Sequence, residues 1–416
     1  MQSFQISKYT QILKISSFRN FFLGFLVSNL GDAMSKVALA WYVWEQTQSA
    51  QALGLLTFLN LGPVVVGGFF AGWLLDRFDK RKVIIVDSLF RGLAVGFVPL
   101  LFLMGRLEIW HVYVVAALYG FLGMIAWAGG PAIVPTLVEK EHLPTANALE
   151  SFAFMAGNVL GPALAGLLIA RIGAPTVVAL DAFSFFLFAA FLVFVHVPPE
   201  AQAKPEDPPR QASTYRNAFR LLLTNPILSA TTAMYFISNI ASGLMLVWLP
   251  IYADVNLAGG AQLYGLLQAS LSTGEVISSF VAGGLNYRIS LGRLIGIVLT
   301  LGGIPLALLL LSPWPLWAAI CLFAFGILIG PLTIWAQTMR MRIIPVELRG
   351  RVFAMLRTMM VAGLPVGGAL AGVLTTGMGI PGLIALTAIL ISGTGIGGFS
   401  VRSLRNSREY LTERSL

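Results

Sequence analysis

The residues able to do chemistry in this 416-residue chain are few, and several sit where charge is costly. Asp32, Lys36, Asp87, Arg91, Asp181, Glu275 and Arg357 all fall inside long apolar runs. Ionisable groups inside a bilayer are rare, and they mark ion pathways, proton relays or obligatory pairs. Asp32 and Lys36 are four residues apart, on one helical face with Ser28 and Ser35, so they can pair. Asp32 is the first candidate for an acid that takes up and releases a proton, and a permanent Asp32–Lys36 pair is the structural alternative. Glu275 shares a face with Gln268, Ser272 and Ser279. It is a second candidate for proton coupling, or a group that meets a solute, or one member of a polar stripe. Asp87 and Arg91, also four apart, read as a structural ion pair that Arg357 can join. Asp181 is assigned no transport role. His111, His142 and His196 are scattered over the edges of apolar runs, and Cys321 is the single cysteine, so no metal site is expected. No nucleophile–base pair, phosphate-binding loop or dinucleotide fingerprint is found. The chemistry indicated is proton binding without an organic cofactor, driven by a proton gradient, and not enzymatic turnover.

Those residues have to be positioned by helices in a membrane. The chain is 57% hydrophobic and 11% charged, against about 25% charged residues in a soluble domain. Apolar runs of about twenty residues, each long enough to cross a bilayer, recur along it. Twelve spans are expected, at 18–46, 50–76, 83–104, 109–138, 143–172, 174–197, 226–254, 260–287, 292–312, 314–342, 346–377 and 381–402. The fold class is therefore all-α membrane protein, with one six-helix half over 1–197, a cytoplasmic linker over 198–225 and a second half over 226–416. Pro198–Pro209 is Pro-rich and charged and reads as irregular linker, and 216–223 as a short amphipathic helix.

Charge sets the orientation. Of 27 bases, Arg106 and Arg171 lie on one side, Lys36, Arg91 and Arg357 lie within spans, and the other 22 lie on the opposite side. The positive-inside rule then puts both termini in the cytoplasm. The net charge of +9 is thus topological, and no nucleic-acid partner is expected. Lys8, Lys14 and Arg19 lead into a first span that is retained and not cleaved.

Two patterns organise the halves. Gly161–Leu168 aligns with Gly367–Leu374 at an offset of 206, and Glu141 aligns with Glu347 at the same offset. Such repeats build many carriers, with a site between the repeats. Between spans 2 and 3 lies Gly72-Trp73-Leu74-Leu75-Asp76-Arg77-Phe78-Asp79-Lys80-Arg81-Lys82. Gly68 and Gly72 are expected to let another helix approach closely. Asp76 stands at the negative end of its own helix dipole, so it should meet the nearby cations Arg77, Lys80, Arg81 and Lys82 or the start of another helix. Gly283–Arg288 looks like a faded copy, with Asn286 in place of the acid.

The pattern Gly72-x-x-x-Asp76-Arg77-x-x-Lys80-Arg81-Lys82 resembles the loop 2–3 signature of the major facilitator superfamily. Asp79 replaces the usual glycine. That acid, with Pro135–Val138, Ala146–Leu149, Tyr264–Leu267 and Pro345–Arg351, is similar to the branch containing macrolide efflux proteins and the enterobactin exporter. The resemblance implies the major facilitator fold with two pseudo-symmetric halves. It implies a cytoplasmic latch at the charged loop, extended to Asp87, Arg91 and Arg357, and a cavity lined by span 1. Gly157, Gly161, Pro162 and Gly166 in span 5 resemble the antiporter motif of drug–proton exporters, with Ala165 in place of one glycine. Trp127, Tyr235, Asn239, Gln268 and Trp335 are the candidates to line a cavity for an amphipathic substrate.

The expected function is a secondary active transporter in the inner membrane. It would act as a monomer among membrane lipid and export a small drug-like or siderophore-like compound by proton antiport. An importer or facilitator of a small nutrient, or a lipid-moving carrier, is the alternative.

Overall fold

The computed structural model describes residues 6–197, 212–285, 287, 289–345 and 348–406, and these are helical with no strand among them. A bilayer offers no partner to an unpaired backbone N–H or C=O, so helices satisfy those groups internally. The linker Pro198–Pro209 lies outside the described residues, as do Asn286, Arg288 and Glu347.

The chain divides into two compact units, Met1–Thr47 with Leu59–Asp207, and Gln48–Phe58 with Pro208–Leu416. The first contains α1 (Ile6–Lys14), α2 (Ser16–Thr47), most of α3 (Ala50–Arg77), α4 (Lys80–Leu103), α5 (Ile109–Ile133), α6 (Leu143–Ile172) and α7 (Ala174–Val193). The second contains the opening turns of α3, then α8 (Ala212–Thr224), α9 (Pro226–Ile251), α10 (Gly260–Gly284), α11 (Leu291–Leu308), α12 (Pro315–Ile329), α13 (Pro331–Ile343), α14 (Arg349–Val361), α15 (Gly363–Ser400) and α16 (Arg402–Arg405). Nine stretches among the described residues are long and apolar enough to cross a membrane. The long helices α2 and α10 carry polar and charged residues and fall outside that set, and Arg351–Ser400, counted there as one stretch, is divided at Gly379. The arrangement is consistent with twelve crossings.

Local chemistry explains several boundaries. Asn225 caps α9 by accepting from the Ile227 and Leu228 N–H groups at 3.0 and 3.1 Å, with Pro226 in the first turn. Asp79 caps α4, its Oδ1 accepting from the Lys82 N–H at 3.0 Å, so this acid serves the start of a helix. The α6–α7 junction turns at Gly173 (φ 78°) just before Pro175, and α15 is interrupted at Gly379 (φ 65°) just before Pro381. Positive φ suits glycine, and this pair of breaks obeys the same offset of 206 as the sequence repeat. The short helix α1 was not expected. It places Ile12 in an apolar cluster with Phe18, Phe21, Ala146 and Phe188.

Glycine contacts carry the repeat into packing. In the first unit Gly157 and Gly161 of α6 lie against Asn29, Leu30 and Ala33 of α2. In the second unit Gly367 of α15 lies against Ile240 and Gly243 of α9, with Ala241 fully buried beside them. The opening turn of α3 meets the same helix α15, where Gly54 lies against Gly368 and Gly372. The expectation for Gly68 and Gly72 is corrected. A Cβ on Gly72 would have nothing within 4 Å, and one on Gly68 would only touch the Met124 methyl at 3.5 Å. The close approach in that helix is made one face around, where Gly67 meets the Phe121 carbonyl and Gly120 of α5 meets the Asn60 carbonyl.

Replacing Gly367 by valine would force carbon to within 2.8 Å of the Ile240 carbonyl carbon and 3.0 Å of the Gly243 Cα. We expect a loss of about 1–3 kcal/mol, the usual penalty of overpacking, read as a lowered thermal midpoint of the detergent-solubilised protein. Gly72→Ala should leave that midpoint unchanged or raise it, and equal losses for the two variants would refute the contact assignment.

Candidate functional site: a charge cluster in the first unit

Four helices bring ionisable groups together. α2 contributes Asp32, α4 contributes Asp87 and Arg91, α5 contributes Tyr119, and α7 contributes Asp181 and Ser184. The Arg91 Nε donates to Asp87 Oδ2 at 3.1 Å, and its Nη1 reaches Asp32 Oδ1 at 3.5 Å. The same guanidinium lies over the Phe185 ring at 4.2 Å, a cation–π contact. Tyr119 donates its hydroxyl to Asp32 Oδ1 at 2.5 Å. Asp181 is fully buried, and its Oδ1 accepts from the Ser184 hydroxyl at 3.2 Å. Glycine at 31 is required by this arrangement, because a Cβ there would meet both Asp181 and Ser184.

Exposure separates the acids. The Asp32 side chain is 23% exposed, against 1% for Asp87 and 2% for Arg91. Two carboxyl groups thus contact one guanidinium, with Asp181 buried on the neighbouring helix, and Asp32 is the member of the Arg91 pairs that solvent can reach.

The expected partner of Asp32 is not the one found. Lys36 is exposed and makes no ion pair with Asp32, whose carboxylate is taken up by Arg91 and Tyr119 instead. Asp87 and Arg91 do pair one turn apart. Tyr119 was missed by sequence reasoning, and Asp181 was singled out but assigned no role. The spacing of Asp181, Ser184 and Phe185 on one helical face was a signal for the second, and nothing in the sequence singled out Tyr119.

The charged loop is held differently from expectation. Asp76 is exposed and forms no ion pair among the described residues. Arg81 donates to the Leu192 and Val193 carbonyls at 2.8 and 2.6 Å and so closes the C-terminal end of α7. Arg77 lies over the Trp73 ring at 5.8 Å. Lys80 and Lys82 belong to the first turn of α4, and Arg357 lies exposed on α14 in the second unit. Gly157, Gly161, Pro162 and Gly166 are all buried on α6, and the first two touch the helix that carries Asp32.

The other candidates are spread over both units. Trp127 is 44% exposed and stacks near Phe154 at 6.5 Å in the first unit. In the second, Trp335 is buried and meets Tyr287 edge-on at 5.3 Å. Asn239 donates to the Met360 carbonyl at 2.8 Å, and Tyr235 carries the Arg340 guanidinium 5.0 Å above its ring. Gln268 and Glu275 are half-buried on α10, where the Ser279 hydroxyl donates to the Gly330 carbonyl at 3.0 Å. Arg340 had been counted with the cytoplasmic loop charges, yet it is 4% exposed.

Membrane-length helices that enclose an acid–base cluster make this an integral membrane protein. The chain belongs to the transmembrane secretion effector family, whose model matches residues 7–409. It is 28% identical over 362 residues to the enterobactin exporter EntS of Escherichia coli O1:K1 / APEC, covering 86% of this chain and 84% of the relative. It is likewise 28% identical over 364 residues to EntS of Salmonella choleraesuis strain SC-B67, covering 86% and 85%. The fold is that of major facilitator transporters. The nucleoside transporter NupG superposes with a TM-score of 0.72 at 10% identity, covering 94% of this chain and 99% of that one. An inward-facing, unoccupied bacterial homologue of the human lysosomal transporter Spinster gives 0.69 at 13% identity, covering 96% and 97%.

Removing Arg91 alone would strand the buried Asp87. We expect Arg91→Leu to cost about 3–5 kcal/mol, measured as loss of thermal stability. Arg91→Leu combined with Asp87→Leu should recover most of it. A double variant no more stable than the single one would show that the pair does not balance its own charges.

Proposed function

We propose that this chain exports a small amphipathic compound, drug-like or siderophore-like, across the inner membrane by alternating access, in exchange for protons moving inward. Both termini lie in the cytoplasm on this reading, which the lopsided distribution of Lys and Arg supports. The direction draws support from the secretion family and the exporter relatives. The observation that carries the coupling is Asp32. It is the partly exposed acid of a sealed cluster, held by Arg91 and by Tyr119.

Protonation of Asp32 removes one of the two negative charges that Arg91 contacts. Arg91 then relies on Asp87, and the tie between α2 and α4 is loosened. A proton and a substrate that favour different states of the same carrier are thereby coupled, by linkage and without direct contact. Glu275 acts as a second protonation site, Lys36 tunes the approach to Asp32, and the motif on α6 keeps α2 in register through Gly157 and Gly161. In the first unit the loop from Gly72 to Lys82, with Asp76 at its centre, and the Asp87–Arg91 pair serve cytoplasmic gating, and in the second unit Arg357 does. Trp127, Tyr235, Asn239, Gln268 and Trp335 meet the substrate. The chain acts as a monomer, with lipid around it.

The test uses inverted membrane vesicles energised by a proton gradient and a fluorescent amphipathic dye. Asp32→Asn should reduce gradient-driven dye uptake to background while leaving dye binding largely intact, and Tyr119→Phe should slow uptake without abolishing it. Undiminished uptake by Asp32→Asn would reject the coupling role. Loss of the dye from intact cells that carry the wild-type chain is expected, and accumulation would make the protein an importer.

A further inference from the structure

The second unit contains a buried cation that no carboxylate among the described residues neutralises. Arg340 of α13 is 4% exposed and has no ion pair among the described residues. Its Nε is buried without a hydrogen-bond acceptor. Its Nη2 points at the Met360 sulfur at 3.2 Å, and its guanidinium lies over the Tyr235 ring at 5.0 Å. A thioether is a weak acceptor and an aromatic face attracts a cation, but neither carries a negative charge. Arg91, buried to the same degree, has Asp87 and Asp32 against it. A guanidinium keeps its charge and presents a planar fork of donors shaped for an oxyanion. Arg340 therefore presents an oxyanion-shaped fork of donors whose Nε has no acceptor among the described residues.

Three helices close around it. The junctions of α12 with α13 at Gly330–Pro331 and of α14 with α15 at Ala362–Gly363 are bends in continuous spans, since the Gly330 and Ala362 N–H groups still donate four residues back, to the Gly326 and Thr358 carbonyls. The Met360 carbonyl beside the second bend is taken by the Asn239 side chain at 2.8 Å, one turn beyond Tyr235 on α9. α9, α13 and α14 thus converge on one guanidinium lying on an aromatic ring.

We propose that Arg340 anchors an oxyanion of the exported compound, which is a small aromatic organic anion bearing a carboxylate or an equivalent group. The guanidinium holds the charge, and Tyr235 offers its face to the ring. This rests on the export reading above for the word "exported", while the anion site itself stands on the geometry of the second unit.

Binding, with no gradient and no transport, separates the two claims. The full chain in phosphatidylcholine nanodiscs is titrated with benzoate and with benzamide, which match in shape and differ in charge, by saturation-transfer NMR. Benzoate should bind about tenfold more tightly than benzamide. Arg340→Gln should erase the difference while benzamide binding stays unchanged, which also reports that the variant is folded, and Arg340→Lys should keep part of it. Equal binding of the two probes to the wild-type chain would overturn the proposal, as would a preference that survives Arg340→Gln. Loss of benzoate binding when phosphatidylglycerol is added to the nanodiscs would also overturn it, by assigning the site to a lipid phosphate. If the preference holds and vesicle export fails, the export reading falls and the anion site remains.

Discussion

A guanidinium placed among membrane helices must be neutralised where it stands, and in the first unit that requirement fixes the relation of four helices. Arg91 reaches Asp87 on its own helix and Asp32 on α2, with Phe185 of α7 beneath it, while Tyr119 of α5 donates to the same Asp32 oxygen. A shift of α2 against α4 separates Arg91 from Asp32. A shift of α5 removes the hydroxyl. The cluster is thus a registration device as well as a charge store, since in a low-dielectric interior a mispaired charge costs more than a mispacked methyl. The glycine at 31 extends the same constraint to Asp181, whose carboxyl occupies the space a side chain would need.

Apolar packing alone would not choose a register in a membrane, where lipid tails compete on equal terms with leucine. Small residues supply the remaining selectivity. α6 against α2 and α15 against α9 use glycines at the equivalent positions 161 and 367, and the chain reverses at Gly173 and Gly379. The two units therefore solve one packing problem in one way. They differ in charge: the first surrounds its buried arginine with acids, and the second surrounds its own with an aromatic ring and a sulfur.

Much of the fold was legible because a run of about twenty apolar residues has few options in a bilayer. Spans expected at 143–172 and 260–287 appear as helices over Leu143–Ile172 and Gly260–Gly284. The contacts were less legible. Gly68 and Gly72 looked like approach points, and the approach is at Gly67, one residue away and on another face, because composition does not say which side of a helix is covered. Asp32 looked paired with Lys36 because four residues is the distance sequence can see. Its partners lie 59 and 87 residues away. Asp79 looked like a departure from a loop pattern, and it caps the next helix.

Arginine shows why residue type alone did not suffice. Arg81 closes the carbonyl end of α7 and needs no acid, since those carbonyls already present negative charge. Arg91 is balanced by carboxylates. Arg340, at the end of the expected span 314–342 and counted with the charges around the following loop, is enclosed without such a partner among the described residues. Each lies near the end of an apolar run or inside one, and sequence gives them similar neighbourhoods. Their roles diverge through what stands opposite: backbone dipoles, acids, or an uncharged ring. A carrier has to move charge and solute through one protein without losing its register. Buried pairs hold the helices in place, while Asp32 is left partly exposed and Arg340 is left without a carboxylate among the described residues.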